Sequence, residues 1–382
     1  MDLVPKPSQV AAAAGNVAHR VLRGGLADLR PMPRTLIDDG PLREVYHYRP
    51  HADGPESGDP VLLVAPLAAP SLCYDLRRGC SLVEHLLADG RPTYLVEYGE
   101  VSLRDRGLGL ERWVEEVLPA AIHAAFQHAG GRPVHLVGWS LGGLFSLLTL
   151  AARPGGALPV ASLSMLGTPV DVARVPLTAP FRPLLTAEDL PAPVTRTYRL
   201  LGGAPDPLVG WAAGLPPVDR LVTRPLALAA HADDREWLAQ VEAVQRFTAA
   251  MTAYPGRAYG QLYHRFATGN QLAGGTLELG GRTVALADID VPVLVVAGAH
   301  DTIAPLEAVR AVVPMLSGSP EAQLEVVPGG HLGLLTGRGA RDSTWPALDE
   351  WLYRWSPPGD HPTLGTDPHR RHSSASSRTF GR

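Results

Sequence analysis

The run HLVGWSLGGLF, residues 135 to 145, constrains the fold more than any other stretch of the chain. Leu136 and Val137 read as the end of a buried strand, and the Leu-rich segment after Gly142 reads as a helix, so the backbone turns sharply around Ser140. A residue at the tip of such a turn needs close backbone on both sides, and Gly138 and Gly142 remove the side chains that would collide there. The new helix aims its N-terminal amides at the turn, where they can stabilise negative charge on a carbonyl oxygen. Ser140 is therefore expected to stand exposed above the sheet.

A serine hydroxyl is a poor nucleophile near neutral pH without a base, itself oriented by a carboxylate. In a doubly wound sheet both must come from loops at the carboxyl ends of strands, the end that Ser140 occupies. Asp301 follows the apolar run 293–296 within Gly298-Ala299-His300-Asp301, and His331 follows the run 324–327 within Pro328-Gly329-Gly330-His331. The chain order serine, aspartate, histidine suits a strand-to-helix elbow. Two alternatives stand beside this reading. Asp301 could cap the helix that begins near Pro305, and His300 is a competing imidazole, although it shares the acid's own loop. The oxyanion donors are expected to be the amides of Leu141 and, from the loop after Val64, Leu67.

The surrounding pattern gives the fold class. TLIDDGPLREVYHYRP reads as two short strands about an Asp39-Gly40 turn, PVLLVAPLAAP as a buried strand, SLVEHLLADG as a helix ending on Gly90, and PTYLVEYGE as another strand. A long amphipathic helix is expected across 108–129, then the strand into Ser140, its helix, and VASLSMLGTPVDV. Strands alternating with helices at this spacing mean right-handed crossovers and a mostly parallel sheet. The alternation breaks between 176 and 287, which is rich in proline and aromatics and shows helical fragments without regular strands. The expected organisation is an N-terminal segment 1–33, an α/β core in two parts, 34–175 and 288–356, an inserted cap 176–287, and a disordered tail 357–382.

Composition narrows the function classes. With 382 residues, 45% of them hydrophobic, the chain can bury a large core, yet no apolar run approaches the roughly 18 residues that cross a bilayer. The N-terminus lacks a continuous apolar stretch, so no secretory signal is expected and the location expected is cytoplasmic. Cys73 and Cys80, the two cysteines, argue against a disulfide framework or a Cys-rich metal site. His369 and His372 in the tail have no acidic or Cys partner nearby and are not read as a metal pair. A net charge of −4 gives no hint of nucleic-acid binding. Lys6, ahead of the core, is the single lysine, which excludes a P-loop and a Schiff-base enzyme. No cofactor and no metal are implied.

Two further stretches carry a resemblance. YDLRRGCSLVEHLLADGRPTYLVEYG and LYHRFATGNQLAGGTLELGGRTVALADIDVPVLVVAGAHDTIAP, with PGGHLGLL and the tryptophans Trp345 and Trp351, resemble the polyhydroxyalkanoate synthase family over roughly residues 60 to 355. That resemblance implies an α/β-hydrolase fold, with Asp301 as orienter and His331 as base. Members that polymerise hydroxyacyl-CoA carry cysteine at the elbow, whereas this chain has Ser140, and neither Cys73 nor Cys80 sits on an elbow. The expectation is thus a serine hydrolase of an ester or thioester with an acyl or hydroxyacyl chain, supplied as a small-molecule ester or acyl-CoA. The alternatives are a synthase-like acyltransferase using 3-hydroxyacyl-CoA and a non-catalytic binding module of the same fold.

Overall fold

The computed structural model describes residues 7–50, 56–67, 69–99, 105, 107–153, 155–175, 228–251 and 256–356. The first part of the expected cap, 176–227, and the expected tail, 357–382, lie outside the described residues, as do Phe181, Tyr198, Trp211, His369 and His372.

Eight strands form one sheet in the order β1-β2-β4-β3-β5-β6-β9-β10. They are β1 (Arg34–Gly40), β2 (Arg43–Tyr48), β3 (Val61–Val64), β4 (Thr93–Glu97), β5 (Val134–Trp139), β6 (Val160–Leu166), β9 (Val293–Gly298) and β10 (Ala322–Val327), with β7 and β8 elsewhere. The β1·β2 and β2·β4 pairs are antiparallel and the other five pairs are parallel. The central strands are buried on both faces, which is why β3, β5 and β9 read as continuous apolar runs rather than alternating ones.

Helices cover the two faces. On one side α3 (Leu118–His128), entered through a wider π-helical turn at Arg112–Val117, and α4 (Leu141–Ala152) pack with Trp113, Phe145 and Met165. Every residue of α4 from Gly142 onward is buried, so this helix has no polar face to mark its orientation. On the other side lie α2 (Leu82–Ala88), capped by the Ser81 hydroxyl accepting from the Glu84 amide, and the C-terminal helix Thr344–Arg354 with Trp345 and Trp351. A mostly parallel, doubly covered sheet with a strand-to-helix elbow after its central strand is the α/β-hydrolase fold.

Two local expectations are corrected. The first hairpin turns at Pro41-Leu42, because Gly40 already pairs with Arg43 and it is Leu42 that takes a positive φ, 57°. The span expected to lack strands contains a hairpin, β7 (Thr276–Leu279) and β8 (Arg282–Ala285), closed by Gly280 and Gly281 at positive φ. Apolar residues alternate in β7 but not in β8, and the inward Leu277, Leu279 and Val284 join the core beside α4. A four-residue strand supplies too little alternation to be seen among Gly-rich neighbours.

The N-terminal segment carries α1 (Pro7–Arg23), and the expected cap span carries α5 (Arg235–Ala249). Polar contacts join them: Asn16 donates to the Ala232 carbonyl, and Glu242 accepts from the Leu26 amide at 2.7 Å.

Candidate active site

Ser140 follows β5 with φ 54° and ψ −120°, a backbone conformation that a residue bearing a Cβ rarely adopts. The glycines around it are sterically required. A Cβ on Gly142 would lie 2.0 Å from the Val64 carbonyl oxygen, and one on Gly138 would lie 2.5 Å from the Gly143 amide nitrogen. The helix start is thereby drawn against the end of β3. The Thr168 hydroxyl, just after β6, donates to the Ser140 carbonyl at 3.0 Å.

The two loops named from the sequence converge on this serine. His331 Nε2 lies 3.0 Å from Ser140 Oγ, and His331 Nδ1 lies 2.8 Å from Asp301 Oδ2. Asp301 has no exposed side-chain surface and that of His331 is 9% exposed, so the pair is largely shielded from water. Asp301 does not cap the helix that follows, whose N-cap is Pro305 with no side-chain bond, but it does bond its own loop. Its Oδ1 accepts from the amides of Ile303 and Ala304 at 2.9 and 2.8 Å, leaving Oδ2 for the imidazole. These backbone bonds hold the carboxylate plane in place. His300 is exposed, and its described contact is an amide donating to Gly329 O at 3.0 Å.

Close approach of the two loops depends on glycines that the sequence did not single out. A Cβ on Gly298 would lie 2.7 Å from the Gly329 carbonyl oxygen, and one on Gly167, at φ 58°, would lie 3.3 Å from His331 Nδ1. Gly298 ends β9 and Gly167 directly follows β6, and that position was the available signal. Trp139 was missed as well. Its indole N–H donates to the His331 carbonyl at 3.0 Å, its ring lies 4.9 Å from the imidazole, and Phe247 of α5 meets it edge-on at 6.0 Å.

Leu141 opens α4, so its amide belongs to the first turn, whose N–H groups have no acceptor within the helix. Leu67 lies three residues past Val64, and the register pairs Val64 with Gly138, so both expected donors fall at the carboxyl edge of adjacent strands. The Leu67 side chain is buried in the core. Cys73 and Cys80 are buried free thiols. Burial pushes the Cys73 thiol far above its ordinary range, and the buried Cys80 sulfur accepts from the Gly337 amide, so neither is an exposed thiolate. Among the described residues no group of three or more His, Cys, Asp or Glu could hold a metal ion, and no helix is long and apolar enough to cross a membrane.

The poly(3-hydroxyalkanoate) polymerase subunit PhaC of Allochromatium vinosum is 26% identical over 340 residues, spanning 88% of this chain and 93% of that protein. The chain resembles the polyhydroxyalkanoate synthase branch of the α/β-hydrolase superfamily. The PhaC of Thiocystis violacea is 23% identical over the same shares of both chains, and that of Haloarcula marismortui is 25% identical over 85% of this chain and 68% of its own. No family model matches. Among solved structures, a monoacylglycerol lipase from Paleococcus ferrophilus superposes with a TM-score of 0.49 at 17% identity, covering 85% of this chain and all of that one.

Proposed function

We propose that the protein is a serine hydrolase that cleaves an ester or thioester of an acyl or hydroxyacyl substrate through an acyl-enzyme. The observation that carries this reading is the hydrogen-bonded line from Ser140 Oγ through both nitrogens of His331 to Asp301 Oδ2, at 3.0 and 2.8 Å. Ser140 Oγ attacks the substrate carbonyl carbon while His331 Nε2 takes the hydroxyl proton, and Asp301 accepts from Nδ1–H, holding the tautomer and stabilising the imidazolium. The carbonyl oxygen becomes an oxyanion bound by the amides of Leu141 and Leu67. Collapse expels the alcohol or thiol, which takes the proton from Nε2. Water then attacks the acyl-serine ester, giving its proton to His331, and the second collapse returns that proton to Ser140 Oγ. The Trp139 ring beside the imidazole, itself packed edge-on by Phe247, supports an apolar setting on that side. Two buried free thiols support a reducing, cytoplasmic setting.

The sequence relatives favour a second reading, an acyltransferase in which a 3-hydroxyacyl hydroxyl replaces water in the second step. Both readings use the same residues. Serine in place of the elbow cysteine of the polymerising relatives favours water. The test supplies purified protein with 3-hydroxybutyryl-CoA and, separately, p-nitrophenyl esters of increasing chain length, measuring free acid, CoA and insoluble polyester. Free acid without polymer, abolished by Ser140→Ala, supports the hydrolase, and polyester accumulating with CoA release replaces it with the acyltransferase. No reaction with any donor leaves the binding module. A severe loss in His300→Ala with a mild one in His331→Ala would overturn the choice of base.

A further inference from the structure

In the parallel β3·β5 pair, the His135 amide donates to the Pro60 carbonyl at 2.8 Å. Bonds on one side of a parallel strand recur every second residue, so two steps on, the Trp139 amide is due at the Val64 carbonyl. The Tyr74 hydroxyl joins that rung: the Trp139 amide donates to it at 2.9 Å, and it donates to the Val64 carbonyl at 2.7 Å, with the Val137 carbonyl 3.3 Å away. A phenol oxygen thus braces the last rung of the ladder, accepting as a carbonyl would and donating as an amide would. Tyr74 is fully buried and enters from the short 3₁₀ turn Ser71–Tyr74. Burial pushes its pKa well above the usual value, so it remains a protonated donor at working pH. One residue further on, the Tyr98 hydroxyl donates to the Ala65 carbonyl at 2.8 Å.

We propose that Tyr74 is a positioning residue, its hydroxyl setting the separation between the loop that leads to Leu67 and the turn that carries Ser140 and Leu141. The hydroxyl ties the two segments to each other at the carboxyl ends of β3 and β5, and the two amides that would bind an oxyanion follow these ends. Its contact with Trp139 also reaches the residue whose indole holds the His331 carbonyl. This inference rests on the acyl-transfer reading of Ser140, because the amides matter only if a carbonyl is attacked there.

The test is Tyr74→Phe, which removes one oxygen and keeps the ring. Turnover of a p-nitrophenyl ester is expected to fall about 10- to 100-fold in kcat, with KM changed less than about threefold, since the substrate pocket is intact and the reacting groups are displaced. Ser162→Ala is the stability control. It deletes buried bonds to His135 and Trp351 and is expected to lower the melting temperature while leaving kcat unchanged. A lowered melting temperature with unchanged kcat in Tyr74→Phe would make Tyr74 an ordinary packing residue and overturn the proposal. A second readout needs no chemistry. In 15N-tryptophan-labelled protein the Trp139 amide resonance is expected to move in Tyr74→Phe whether the ladder opens or closes, and an unmoved resonance overturns the tether itself. Full turnover in Ser140→Ala would remove the acyl-transfer reading, and with it the catalytic role of Tyr74, with the resonance still deciding whether the hydroxyl bonds Trp139.

Discussion

The elbow stores strain that can be released at the cost of the Ser140 hydroxyl. Ser140 sits at φ 54° and ψ −120°, and such conformations raise the energy of a residue with a Cβ by about 1–3 kcal/mol. Ser140→Ala keeps the Cβ and hence the strain, whereas Ser140→Gly releases it. Both variants lose the hydroxyl's bond to His331, so that loss cancels between them. Glycine gives back about 0.4–1 kcal/mol through the freer unfolded chain, leaving Ser140→Gly more stable than Ser140→Ala by about 0.5–2 kcal/mol. Urea unfolding reads this directly. With a slope of about 3 kcal/mol per molar, the midpoints should separate by roughly 0.2–0.7 M, with glycine higher and equal slopes. Ester turnover should be lost by several orders of magnitude in both. Equal midpoints, or alanine above glycine, would refute the claim that the turn is strained.

Gly142→Ala brings a Cβ to within 2.0 Å of the Val64 carbonyl oxygen, a backbone atom that cannot swing aside, so α4 or the β3 loop must shift. A loss of about 1–3 kcal/mol in stability and about 100-fold in ester turnover is expected, and wild-type values in both assays would contradict it. His135 is a separate case at the other end of β5. Burial holds its pKa down to about 3, with Arg91 adding to the effect, while its ring bonds Ser162 and Ser356. The unfolded chain takes up a proton near pH 6.5 that the folded one refuses, so this group's contribution is complete above pH 6.5 and is lost as pH falls toward 3. His135→Gln should flatten the acid limb of urea stability between about pH 6 and 4 by up to about 1.4 kcal/mol per pH unit, and an unchanged limb would exclude the linkage.

The fold was legible because its signals are periodic. Continuous apolar runs at β3, β5 and β9, separated by helical spacing, admit few arrangements other than a parallel sheet with helices on both faces. What escaped was short or locally decided. The first turn moved from Asp39-Gly40 to Pro41-Leu42, since strand pairing carries Gly40 into the ladder and leaves the positive φ to Leu42. The β7·β8 hairpin was invisible because four-residue strands leave only two inward positions each.

At the candidate site, sequence spacing brought Ser140, Asp301 and His331 into view through strand ends, each at the carboxyl edge of an apolar run. Gly167 and Gly298 occupy equivalent strand ends but carry no chemistry of their own, and their role depends on how closely two distant loops approach. Tyr74 is the hardest case. Nothing in YDLRRGC marks its hydroxyl, because the reason for it lies in the parity of a ladder between β3 and β5, more than 60 residues further along for the second strand. Parity is a property of paired strands, not of either sequence, so a side chain that joins a rung can be recognised only once the register is known. A buried tyrosine whose oxygen lies between two facing backbone groups is therefore a feature to seek wherever parallel strands part beside a reactive turn.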